Sequence, residues 1–111
     1  MPIEMTRLDA GVAVVTISGR LVLAKDEERL ESVTGELIEQ GQKKFVYDIS
    51  ALDYADSSGI GTLVACLTNI KKAGGELRVA GANVRMMRLF QMTGVQSLIA
   101  LYPTVAAAAE A

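Results

Sequence analysis

Apolar positions along this chain recur at two spacings, and the changes between them delimit its elements. Ile3 to Leu8 and Val12 to Ile17 are short extended runs separated by Asp9-Ala10-Gly11. This pattern predicts two strands joined by a tight turn, and so an antiparallel pair. After Gly19 a loop is expected. From about Asp26 to Gln40 the residues Leu30, Val33, Leu37 and Ile38 share one helical face. Asp26, Glu27 and Glu28 fall in the first turn of that helix, where its dipole favours negative charge, and Gly41 suits its end. Phe45 to Ile49 predicts a further strand. Ile60, Leu63, Val64, Leu67 and Ile70 then return to helical spacing, giving a helix from Ser58 to about Lys72 that Ala73-Gly74-Gly75 stops. Leu77 to Ala80 predicts a fourth strand, followed by a short helix through Arg85 and Phe90 closed near Gly94. A short strand around Leu98 to Leu101 and a terminal helix from Thr104 complete the chain.

Strands that alternate with helices call for an α/β fold. The sheet is expected to be mixed and mostly parallel, with an N-terminal antiparallel hairpin and about four covering helices. The 111 residues suffice for one domain, 1–111, with a single core. Half of them are hydrophobic and 22% are charged, which excludes a disordered chain.

The candidate chemistry lies in Asp53-Tyr54-Ala55-Asp56-Ser57-Ser58-Gly59-Ile60-Gly61-Thr62-Leu63, which places two hydroxyls where a strand becomes a helix. Asp56 or Ser57 would be the N-cap. The first N–H groups of a helix have no intrahelical partner and carry the positive end of the dipole, so a phosphoryl group on Ser57, or alternatively Ser58, would be tolerated there. Simple capping is the plainer use of the same residues. Gly59 and Gly61 weigh against it, because each costs about 1 kcal/mol relative to Ala inside a helix and calls for an offsetting gain in packing or backbone access.

Other chemistries find little support. The chain has no histidine, which removes imidazole ligands and the commonest general base. Lys71 and Lys72 lie roughly 20 Å beyond Ser57 along the helix at 1.5 Å per residue, too far to activate it. Asp53 or Asp56 could orient a serine toward a phosphoryl donor but would not make it a hydrolase. Cys66 is the lone cysteine and sits in the helical pattern as a packed small residue. No catalytic residue, metal site or cofactor is therefore expected. Gly59-Ile60-Gly61 lacks the third glycine of a dinucleotide fingerprint, since position 64 is Val64. A net charge of −2 gives no general attraction to nucleic acid, and Arg78, Arg85 and Arg88 read as a solvated face. Met86, Met87, Phe90 and Met92 crowd one short segment, as core filling or as an adaptable surface. With no leader pattern and no long apolar run, a cytoplasmic protein without direct membrane contact is expected.

Three co-linear blocks carry a family resemblance from about Ile3 to Val105. They are Asp56-Ser57-Ser58-Gly59-Ile60-Gly61 after a strand closing in Asp48-Ile49-Ser50, the turn Lys72-Ala73-Gly74-Gly75-Glu76-Leu77, and Val84 to Val95. Together they resemble the bacterial anti-sigma factor antagonists, which are single STAS domains. The resemblance implies a STAS fold and a switchable binding protein rather than an enzyme. Unphosphorylated members bind an anti-sigma factor that is also a serine kinase, freeing the sigma factor. The kinase would modify Ser57, a PP2C-type phosphatase would restore it, and Asp56, Ser57, Ser58, Gly59, Ile60 and Gly61 would meet the partner. A monomer is expected. Many members carry an acidic residue in the loop after the second strand, where this chain runs Arg20-Leu21-Val22-Leu23-Ala24-Lys25. The competing reading is a non-switching STAS docking subunit of an ABC-type lipid transporter.

Overall fold

The computed structural model describes residues 3–8 and 11–111. Strands β1 (Ile3–Leu8) and β2 (Val12–Ile17) pair antiparallel, with Ile3 opposite Ile17 and Leu8 opposite Val12. Of the predicted turn, Asp9 and Ala10 lie outside the described residues; the Gly11 N–H bonds to the Leu8 carbonyl at 3.1 Å. Helix α1 (Ala24–Glu39), strand β4 (Lys44–Asp48), helix α2 (Ser57–Lys72), strand β6 (Glu76–Ala80), helix α3 (Val84–Thr93), strand β7 (Ala100–Tyr102) and helix α4 (Val105–Glu110) follow in the expected order. Two further strands, β3 (Gly19–Leu21) and β5 (Leu52–Ala55), occupy stretches for which no strand was predicted.

The main sheet runs β1-β2-β4-β6-β7, parallel except for the first pair, and β3 and β5 form a separate parallel pair. The α/β reading with an N-terminal antiparallel hairpin and four helices therefore holds. The period of two along each strand sorts the side chains onto two faces. Ala13, Val15 and Ile17 of β2 and Phe45 and Tyr47 of β4 pack with Leu30, Val33 and Leu37 of α1 and Ile60, Leu63, Leu67 and Ile70 of α2. Val12, Val14 and Val46 point the other way, toward Ala108 of α4, with Tyr102 and Val105 beside them. Covered on both faces, the central strands are near-continuous apolar runs, as buried parallel strands require.

Met86 and Phe90 of α3 are fully buried in the larger cluster, whereas Met92 is 76% exposed. Core filling thus holds for Met86 and Phe90, while Met92 reaches solvent. Gly94 closes α3 at φ 76°, a conformation that side chains disfavour. Arg78 departs from the solvated face expected for it. Its guanidinium donates to the Ala108 carbonyl at 3.2 Å and pairs with Glu76 at 2.8 Å, tying α4 to β6.

Thr34 of α1 and Tyr47 of β4 share a buried hydrogen bond, and Cys66 of α2 lies in the same group. Burial pushes the Tyr47 phenol and the Cys66 thiol upward from their ordinary values. Both groups are therefore held neutral in the fold, and their contribution to stability is complete below the unfolded-state pKa. It is lost as pH rises, first through Cys66 above about 8.5 and then through Tyr47 above about 10. Urea unfolding should thus show stability declining as pH rises above about 8.5. Cys66 should resist a thiol reagent until the chain unfolds; rapid labelling of the native protein would contradict this packing.

Candidate functional site

The strand that leads into α2 is β5, and its hydrogen-bonded neighbour is β3 rather than the main sheet. The entrance to α2 is consequently framed by β3 and the start of α1. Leu21 is buried, its carbonyl facing Gly59, while the guanidinium of Arg20 lies over the Tyr54 ring, 5.4 Å from its centroid. Arg20 and Leu21 therefore border the residues on either side of the serines, Tyr54 and Gly59.

Of the two N-cap candidates, Asp56 takes the role. Its Oδ1 accepts the Gly59 N–H at 2.8 Å, and its carbonyl accepts the Ile60 N–H at 2.9 Å. Ser57 is then the first helical residue. Its side chain is exposed, and none of the described residues hydrogen-bonds to its hydroxyl. The N–H groups of Ser57 and Ser58, at the positive end of the dipole, have no intrahelical acceptor.

Ser58 is placed differently. Its hydroxyl donates to Glu27 Oε1 of α1 at 2.7 Å. One turn on, the hydroxyl of Thr62 donates to the Ser58 carbonyl at 3.1 Å and lies 3.5 Å from the same Glu27 oxygen. Ser58 and Thr62 thus face α1, while Ser57, Gly61 and Ala65, spaced four apart, form an exposed strip of small residues. Gly59 and Ile60 are buried beneath it. Of the residues singled out in the sequence, Asp56, Ser57 and Gly61 reach the surface strip and its cap, Ser58 turns sideways, and Gly59 and Ile60 support them from within.

Glu27 was legible only as a first-turn acid. Its part at the α2 entrance comes from the packing of α1 against α2, for which 31 residues of separation leave no local mark. It brings a carboxylate from α1 to this entrance, in addition to that of the capping Asp56. On the far side, Asn83 caps α3 by accepting the Met86 N–H at 2.8 Å and donates to the Leu52 carbonyl at 3.1 Å, fixing α3 to β5. Arg85, Arg88 and exposed Val84 line a shallow depression there with Asp53.

The cap admits a direct check. Asp56→Ala should cost about 1 kcal/mol, the usual value of an N-cap, and Asp56→Asn much less. Ser57→Ala and Ser57→Asp should each stay within about 1 kcal/mol of the parent, because the Ser57 side chain bonds to none of the described residues. Denaturant melts that show a loss of several kcal/mol for either Ser57 variant would place Ser57 in the fold rather than on its surface.

Among the described residues, no group of three or more His, Cys, Asp or Glu is arranged to hold a metal ion. No helix among the described residues is long and apolar enough to cross a membrane.

Comparison with known proteins places this geometry among relatives. The description "STAS domain" matches residues 5–108. The anti-sigma F factor antagonist of Paenibacillus polymyxa is 29% identical over 96 residues, covering 83% of this chain and 79% of that one. The crystal structure of an anti-sigma factor antagonist from Mycobacterium paratuberculosis superposes with a TM-score of 0.83 at 27% identity, over 97% of this chain and 90% of the other. The Bacillus cell-fate determinant SpoIIAA, solved in its phosphorylated form, aligns with a TM-score of 0.76 over 97% and 96% of the two chains. Its 18% identity makes that likeness one of fold. Its unphosphorylated form gives a TM-score of 0.74 at 17% identity over 96% and 93%.

Proposed function

The chain belongs to the STAS domain family, and on that premise we propose that it is a regulatory binding protein of the anti-sigma factor antagonist kind, switched by phosphorylation of Ser57. When unphosphorylated it binds an anti-sigma factor and so frees a sigma factor. The anti-sigma factor is also the serine kinase, and a PP2C-type phosphatase reverses the modification. The observation that carries this reading is the placement of Ser57, exposed and unengaged among the described residues at the first position of α2. Family membership and the names of the relatives supply the class of partner.

The electrostatics support a change of surface without a change of fold. A phosphoserine carries about −1.5 to −2 charges near neutral pH. On Ser57 it would sit beside free N–H groups and the positive helix end, so the domain tolerates it. A partner packed on the strip formed by Ser57, Gly61 and Ala65 would meet instead a bulky, desolvated anion. The chemistry belongs to the kinase and phosphatase, and this chain needs no turnover of its own. Its surroundings on this reading are cytoplasmic, and neither nucleic acid nor membrane touches it directly.

The test is the intact mass of the protein isolated from its native host, with and without phosphatase treatment, followed by peptide mapping. A species heavier by one phosphate on the peptide holding Ser57, removed by the phosphatase, is expected. An unmodified mass under every growth condition would favour a non-switching docking subunit, such as one serving a transporter.

A further inference from the structure

Two adjacent hydroxyls stand at the entrance to α2, yet a switch with one defined state requires that only one of them accept phosphate. Motif chemistry does not separate Ser57 from Ser58, since both lie in the first helical turn near free N–H groups. Their side-chain surroundings do. Ser57 bonds to none of the described residues, while Ser58 donates its proton to Glu27 Oε1 at 2.7 Å, and Thr62 approaches the same oxygen at 3.5 Å.

We infer that Glu27 of α1 is a specificity-determining residue that occupies Ser58 and excludes a phosphoryl group from it, leaving Ser57 as the single acceptor. The inference rests on the phosphorylation reading above and adds to it the device that selects the site. In the transfer, the serine Oγ forms a bond to the γ-phosphorus of a nucleoside triphosphate. The bond from that phosphorus to the bridging oxygen breaks, the oxygen leaves with the electron pair in the diphosphate, and the hydroxyl proton passes to the kinase or to water. At Ser58 this removes the proton that Glu27 accepts and sets a group of charge near −2 against a carboxylate at hydrogen-bond distance. Thr62, buried beside it, and the packing of α1 on α2 hold that carboxylate in place. At Ser57 no bond to the described residues has to break.

The arrangement also answers the missing acid of the preceding loop. Between Arg20 and Lys25 the chain carries no carboxylate; besides the capping Asp56, the α2 entrance receives the carboxylate of Glu27 from the first turn of α1. Acting on Ser58 rather than Ser57, it shapes the choice of hydroxyl. The opposite role for Glu27, a base that activates Ser58, predicts the reverse response to its removal, so one set of variants decides between them.

The experiment compares chains carrying phosphoserine placed during translation at position 57 or 58, each with Glu27 or with Glu27→Gln. Glutamine keeps an acceptor oxygen for Ser58 and removes the charge, so the fold is preserved in the controls. In urea unfolding, phosphoserine at 58 should lower the folding equilibrium constant by about tenfold or more, and Glu27→Gln should recover most of that loss. Phosphoserine at 57 should change it less than about fivefold in either background. Equal tolerance at both positions with Glu27 present, or no recovery by Glu27→Gln, would overturn the assignment.

A second arm uses host extract and ATP on the wild-type chain, Ser57→Ala, and Ser57→Ala with Glu27→Gln. Label is expected on wild type at Ser57, none on Ser57→Ala, and label at Ser58 once Glu27 is also replaced. Label on Ser58 in Ser57→Ala that disappears with Glu27→Gln would make Glu27 an activating base and sink the inference while leaving the switch intact. No phosphate on the wild-type chain would instead sink the switch and the inference that rests on it, even if the phosphoserine chains behave as expected.

Discussion

Gly59→Ala is expected to destabilise the protein by about 2 to 3 kcal/mol, the scale of an overpacked core, while Gly61→Ala two residues later leaves stability unchanged or raises it by up to about 1 kcal/mol. Both glycines sit in the first turns of α2 and carry the same cost in helix propensity. A Cβ on Gly59 would run into the Leu21 carbonyl and lie 3.2 Å from Ala55 Cβ, so backbone would have to move. The helix cannot yield easily. Its buried face is set by Ile60, Leu63, Leu67 and Ile70, all in the main core, and any retreat from β3 would loosen them together. Around Gly61 a Cβ meets nothing within 4 Å, so the fold gives no reason for the glycine. On the proposed function the reason is a partner that approaches the exposed strip closely. Gly61→Ala should therefore weaken binding to the anti-sigma partner while leaving the urea midpoint at or above that of the parent. A Gly59→Ala midpoint within 1 kcal/mol of the parent would show that α2 can slide from β3 at little cost, contrary to this packing.

That contrast also indicates how far the sequence could be read. The amphipathic spacings of α1 and α2 and the apolar runs of β2 and β4 are long enough to reveal their period, and they stand where expected. The pair β3 and β5 was missed because neither strand exceeds four residues and the register shifts between Gly19 and Arg20. Strands so short carry no period, and a parallel partner more than thirty residues away leaves no local signal. The same blindness affected the site. Asp56-Ser57-Ser58-Gly59 announced a capped helix start, but the sequence could not distinguish a glycine pressed on a neighbouring strand from one open to solvent. Nor could it show that Ser58 turns toward α1. Arg78, grouped with Arg85 and Arg88 by proximity in the chain, binds the end of α4 from the strand expected to hold it. In each case the missing information is which distant element packs against the residue.

Phosphorylation of Ser57 is expected to weaken binding to the kinase-type anti-sigma partner by about 5- to 150-fold, a coupling free energy of roughly 1 to 3 kcal/mol. A switch cannot work without such a difference, because a ligand that binds both states equally shifts no equilibrium. The physical source is local. The exposed strip offers the partner a small hydroxyl at the first position of α2 beside Gly61 and Ala65; phosphate replaces it with a hydrated anion whose burial against the partner would remain uncompensated unless a cation met it. The fold should not report the change, since the same anion is stabilised by the N–H groups and dipole at the helix start. Ser57→Ala should bind like the unmodified chain and become insensitive to ATP. Ser57→Asp should weaken binding less than phosphate does, because a carboxylate has less charge and fewer acceptor oxygens. Titration calorimetry with enzymatically phosphorylated protein, paired with urea melts of the same samples, separates loss of affinity from loss of fold. Equal affinity of the phosphorylated and unmodified chains for that partner would end the switch hypothesis, and a passive docking role would then account better for an exposed serine loop on this domain.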